Sequence, residues 1–132
     1  VMALEKCVIY SKSPEPWERG KSFYGGATRE AHDEPGRKFL RAIEAQTGKI
    51  IWQYPQIGPG NSWGGALSTA GGLVFFGDDS GAFAATEAKS GKLLWYFHTN
   101  ELWKASPMTY LAGGKQFVAV AAGSNILAFG SP

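Results

Sequence analysis

Asp78 and Asp79 stand side by side in the run Asp-Asp-Ser-Gly. Paired carboxylates are the first arrangement in this chain that could hold a divalent cation or exchange a proton. A calcium loop needs further oxygen ligands at regular spacing, however, and Asp-Ser-Gly is ordinary hairpin-turn chemistry. His32 and His98 are far apart, with no Cys or second His at metal-ligand spacing, which argues against zinc. Glu44 and Glu87 recur at equivalent positions of an internal repeat, so they fall in different structural units and are not an acid/base pair; each is read as an acceptor for nearby turn N–H groups. Cys7 is the only cysteine, so an internal disulfide is excluded and a buried thiol is expected. Gly-x-Ser-x-Gly elbows, phosphate loops and haem attachment motifs do not occur. No constellation for acid–base, nucleophilic or metal chemistry is complete within the chain.

The strongest pattern is architectural. Ala42 to Trp52 reads AIEAQTGKIIW and Ala85 to Trp95 reads ATEAKSGKLLW, with Ala, Glu, Ala, Gly, Lys and Trp in register at an offset of forty-three. The same offset places Gly71 on Gly114 and Ala85 on Ala128, and this third copy stops before its own Gly-Lys and Trp. A period of about 40–50 residues, with short strands and a closing Trp, is the mark of a β-propeller or array. The repeated residues have a mechanical reading. A small Ala on the third strand leaves room for the Trp on the fourth, and that indole can stack on the Gly-bearing turn of the neighbouring unit.

Composition agrees. Eighteen glycines and 14% aromatic residues suit many tight turns joining short strands, and 44% hydrophobic with 18% charged positions describes a globular chain. A net charge of +2, without runs of like charge, excludes a nucleic-acid or anionic-membrane surface. No apolar stretch reaches the roughly 20 residues a membrane span needs, and the chain begins on Val1 in mid-pattern without a signal peptide. It is expected to be a piece of something longer.

The expected fold is all-β, a partial β-propeller of four-stranded antiparallel blades. Residues 1–54 make a partial blade: a strand over Val1 to Tyr10, an irregular excursion from 11 to 37, then strands Phe39 to Glu44 and Ile50 to Tyr54. The excursion carries Pro14, Pro16, Pro35 and several glycines, which break helix and ladder, while Trp17, Phe23 and Tyr24 argue that it packs against something. After the linker Pro-Gln-Ile-Gly-Pro-Gly-Asn-Ser, residues 63–97 make a complete blade with strands Ala66 to Thr69, Leu73 to Gly77, Ala82 to Glu87 and Lys92 to Phe97. Residues 105–132 repeat its first three strands, Met108 to Leu111, Phe117 to Ala121 and Ile126 to Phe129.

At these residues a resemblance appears. The run WGGALSTAGGLVFFGDDSGAFAATEAKSGKLLWYF, followed by SPMTY and GKQFVAVAAG, closely resembles the C-terminal blades of the pyrroloquinoline quinone (PQQ)-dependent alcohol and methanol dehydrogenases. The resemblance covers essentially the whole chain, and the Ala/Gly/Trp repeat matches that family's tryptophan-docking motif. It implies an eight-bladed propeller, of which this chain supplies about two and a half blades, in a periplasmic oxidoreductase that oxidises a small alcohol with PQQ and a bound calcium or lanthanide ion. Trp63 and Gly64 match the family's cofactor-contacting blade start. Gly123, Ser124 and Asn125 fall in the hairpin where methanol dehydrogenases also meet the quinone, although no Trp stands there in this chain and no Asn stands at residues 2–5, where the family has one. The family's catalytic Asp, metal ligands and adjacent cysteines lie in blades outside this chain, so its implied partners are the remaining blades, and the chain alone is expected to lack dehydrogenase activity. The alternative function is a non-catalytic propeller of the same superfamily acting as a protein-interaction scaffold. Exposed sheet edges would also favour self-association of the isolated chain.

Overall fold

The structure is a computed structural model and describes residues 1–31, 33–58, 60 and 63–130. Its strands in chain order are β1 (Met2–Glu5), β2 (Val8–Lys12), β3 (Gly26–Glu30), β4 (Arg37–Ile43), β5 (Ile50–Gln56), β6 (Ala66–Ser68), β7 (Leu73–Gly77), β8 (Ala82–Glu87), β9 (Leu93–His98), β10 (Met108–Ala112), β11 (Lys115–Ala122) and β12 (Asn125–Gly130). They form a three-stranded sheet β1-β4-β5, a two-stranded ribbon β2-β3, a four-stranded sheet β6-β7-β8-β9 and a three-stranded sheet β10-β11-β12. All pairings are antiparallel. The fold is a partial β-propeller, as the repeat predicts.

Side-chain alternation fixes how the blades stack. Successive residues of a strand face opposite sides of the sheet, so Phe83 and Ala84 of β8 serve two different cores. Phe83 packs with Trp103, Val118, Val120 and Ala122 between the second and third blades. Ala84 packs with Leu40 and Phe76 between the first and second. Strand β8 of the central blade is thus buried on both faces, with Ala82 to Thr86 all buried. Phe83 stacks on Trp103 and Phe129 at centroid distances of 5.1 and 5.4 Å.

The repeated Ala and Trp are cross-strand partners, Ala42 with Trp52 and Ala85 with Trp95. A register shift follows the alanine in both blades, between Ala42 and Ile43 and between Ala85 and Thr86. Such a bulge increases local twist and re-aims a side chain, here beside each Trp. Trp52 then reaches the second blade: its indole N–H donates to the Ala88 carbonyl at 3.0 Å, and a Cβ on Gly91 would lie 2.5 Å from the ring. Gly48 and Gly91 both take φ of 72°, the left-handed conformation that the turn requires.

Four local expectations are corrected. The first segment is two strands rather than one, because the chain turns away after Glu5. The 11–37 excursion is not wholly irregular: β2 runs on to Lys12 and pairs with β3, joining Val8 to Glu30 and Lys12 to Gly26. Its aromatics do not pack inward; Trp17 is 63% and Tyr24 91% exposed. Cys7 is exposed, since it sits in the turn between β1 and β2, where its carbonyl accepts from the Ala31 N–H. Three members of the linker, residues 59, 61 and 62, and likewise His32 and residues 131 and 132, lie outside the described residues.

Candidate functional site

Trp63 stands just before β6 and is 84% exposed, while the two glycines after it are held tightly. A Cβ on Gly64 would lie 2.9 Å from the Trp103 carbonyl oxygen and 3.0 Å from that of Ala105. The Gly65 N–H donates to Ser106 Oγ at 3.0 Å, and a Cβ there would lie 2.5 Å from the same oxygen. Only residues without a side chain permit so close an approach of two backbones. The open indole is therefore carried on a fixed stem.

The opposing wall is the connector from β9 to β10, residues 99–107. Thr99 anchors its start: its N–H and its hydroxyl both donate to the Gly81 carbonyl, at 2.8 and 3.2 Å, and Thr99 Oγ1 accepts the Glu101 N–H at 3.1 Å. Trp103 anchors its middle. It is fully buried, and a Cβ on Gly77 would overlap it. Its indole N–H has no hydrogen-bond partner among the described residues. Sequence reading missed this residue, since the forty-three offset sets Trp103 opposite Gly60 and gives it no repeat partner. The available signal was a lone large aromatic in a short loop between two strands.

Gly123 lies against this connector, at φ of 57° in the β11–β12 hairpin. A Cβ on it would overlap the Glu101 carboxylate. Ser124 and Asn125 are exposed, and Asn125 opens β12 opposite Ala122. A cleft of about 470 Å³ lies here, lined by Glu101, Leu102, Lys104 and Gly123 among others. Gly64 and Gly123 thus both meet the connector, Gly64 at the Trp103 and Ala105 carbonyls and Gly123 at the Glu101 carboxylate. A larger cleft of about 860 Å³, between Trp95, Phe129 and Leu73, includes none of these residues.

The Asp78 carboxylate is committed to its turn. Its Oδ1 accepts from Ser80 N, Ser80 Oγ and Ala82 N at 3.0, 2.7 and 2.9 Å, the Asx-turn chemistry expected of Asp-Ser-Gly. Glu44 and Glu87 cap their turns through an intermediary. Thr47 and Ser90 donate their hydroxyls to these carboxylates, and those hydroxyl oxygens accept the Lys49 and Lys92 N–H groups at 3.2 Å. Among the described residues no group of three His, Cys, Asp or Glu side chains could hold a metal ion. No helix is long and apolar enough to cross a membrane.

Residues 55–118 match the family described as "PQQ: Glucose/ethanol/alcohol dehydrogenase, beta-propeller domain". The chain is 42% identical over 84 residues to a quinoprotein ethanol dehydrogenase of Pseudomonas aeruginosa, covering 64% of this chain and 13% of that protein. It is 40% identical over 105 residues to a lanthanide-dependent methanol dehydrogenase of Methylorubrum extorquens, covering 76% of this chain and 17% of that one. Among solved structures, a quinohemoprotein alcohol dehydrogenase from Pseudomonas putida HK5 superimposes with a TM-score of 0.75 at 28% identity, over 96% of this chain and 20% of its own length. The chain belongs to the quinoprotein alcohol and methanol dehydrogenase family. It spans less than a fifth of the length of these two sequence relatives. The Trp63 stem leads into the four-stranded sheet and the 99–107 connector joins that sheet to the last one, whereas the 123–125 hairpin lies within the last sheet, between β11 and β12.

Proposed function

We propose that these blades form one part of the cofactor pocket and of the propeller ring in a periplasmic quinoprotein dehydrogenase that oxidises alcohols with PQQ and a bound calcium or lanthanide ion. The single observation that carries this reading is Trp63, a large aromatic face left open to solvent on a backbone pinned by Gly64 and Gly65. A planar conjugated ligand suits such a face, since offset stacking on an indole gains dispersion and area burial with little conformational cost. The donor set fits in part: Trp63 offers a ring and one N–H, and Ser124 and Asn125 offer neutral polar groups.

When bound, the quinone would supply two-electron oxidation and the ion Lewis acidity. This chain's residues bind and orient; the general base and the metal ligands belong to the remaining blades. Trp52, on the Ala88 and Gly91 turn, acts as the tryptophan-docking contact that holds adjacent blades in line and so fixes where the Trp63 stem sits.

Titration of the full-length protein with PQQ, read by fluorescence or calorimetry, tests the proposal. Trp63→Ala is expected to weaken binding tenfold or more while the near-ultraviolet circular dichroism of the remaining fold persists. Unchanged affinity would remove Trp63 from the pocket.

A further inference from the structure

Among the described residues the Glu101 carboxylate is laid directly over a proposed pocket residue, Gly123. A Cβ on Gly123 would overlap both carboxylate oxygens and the carboxyl carbon, so the carboxylate rests on the bare face of that glycine. The placement is anchored from the backbone, because the Glu101 N–H is held by Thr99 Oγ1, which is itself bonded to Gly81. Among the described residues Glu101 takes part in no ion pair, and Lys104 in the same cleft does not reach it. The neighbouring Ser124 and Asn125 carry no charge to offset it. The charge laid against Gly123 itself is therefore negative, with Lys104 lining the same cleft outside ion-pair distance.

We propose that Glu101 is a specificity-determining residue of that pocket: its carboxylate over Gly123 repels the anionic edge of a planar ligand, which binds with that edge turned away from residues 123–125. The inference rests on the proposed quinone-binding reading and adds its electrostatic polarity. Like charges within a few ångströms repel appreciably near a protein surface, and salt screens the effect over roughly 10 Å at 0.1 M. Negative charge placed against the wrong ligand orientation is a recurrent route to selectivity.

The test is titration of the full-length apoprotein with PQQ at low and high salt, together with its uncharged trimethyl ester. Glu101→Gln is expected to tighten PQQ binding about threefold to tenfold at low salt, to lose that gain at 0.5 M salt and to leave the ester unaffected. Glu101→Asp, which keeps the charge, should gain less than Glu101→Gln. Unchanged or weaker PQQ binding by Glu101→Gln at low salt, with the wild-type circular dichroism retained, would overturn the proposal. A gain for the ester equal to that for PQQ would overturn it too, since the effect would then be steric. Failure of the underlying reading looks different: the wild type would show no saturable binding, or Trp63→Ala would bind as the wild type does, and either result removes both.

Discussion

The Trp52 indole N–H donates to the carbonyl of Ala88 across the boundary between the first and second blades, with the ring lying on Gly91. Three demands meet at this contact. The Trp must be aimed by the bulge after Ala42, the turn must expose a carbonyl, and the residue at 91 must lack a side chain and accept φ of 72°. Gly91→Ala violates both parts of the last demand and is expected to destabilise the protein by about 2–4 kcal/mol. Trp52→Phe keeps a ring but loses the hydrogen bond and part of the area, at a cost of about 1–2 kcal/mol. Urea unfolding of both variants checks the order; equal losses would show that the glycine face contributes nothing beyond the ring.

The relayed turn caps make a smaller, sharper claim. Ser90 links the Glu87 carboxylate to the Lys92 N–H, as Thr47 links Glu44 to Lys49. Ser90→Ala removes both bonds and should cost about 1 kcal/mol, while Ser90→Thr should be neutral because the first blade already uses Thr at this place. A large loss in Ser90→Thr would mean that the two turns are not equivalent.

The repeat made the blades legible because it reports on elements that recur. The limits of β7 and β8 follow from apolar runs bounded by Asp-Asp-Ser-Gly and Ala-Lys-Ser-Gly. β5 continues through Pro55 to Gln56, further than its sequence suggests, since it is an edge strand and a proline there removes no ladder bond that matters. β3, reading Gly-Ala-Thr-Arg-Glu, has no apolar alternation and is visible only through its pairing with β2. Trp63 stands out in the sequence because it departs from the repeat within a family motif. Trp103 and Glu101 were not found, because their importance lies in contacts to Gly77 and Gly123 far along the chain.

Two glycines separate steric from conformational cost. Gly77 is outside the left-handed region, yet a Cβ there would overlap Trp103. Gly113 has φ of 57° and nothing within 4 Å of a Cβ. Gly77→Ala should therefore cost about 3 kcal/mol or more by displacing the buried indole, and Gly113→Ala only about 1 kcal/mol from backbone strain. The expected order is read from unfolding midpoints. If Gly113→Ala proves the worse, the Trp103 packing argued here is wrong.

The last prediction concerns Lys38, a buried cation on β4. Burial pushes its pKa below the ordinary lysine value, and the nearby Asp79 and Asp78 pull it partly back. Desolvation therefore outweighs attraction, and the charged form is disfavoured in the folded state. The unfolded chain then binds more protons than the folded one between the lowered folded pKa and the free value near about 10.4. Stability must rise with pH through that window and fall as pH drops back through it. Tyr54 acts oppositely: burial and then Asp78 raise its pKa, so its contribution to stability is lost only as pH climbs above about 10. As pH approaches the free lysine value from below, the Lys38 effect should dominate, giving wild-type protein an upward slope that Lys38→Met lacks and that Tyr54→Phe retains. Unfolding free energies measured across that range decide it. Parallel pH profiles for wild type and Lys38→Met would show that the lysine is not held in the environment described.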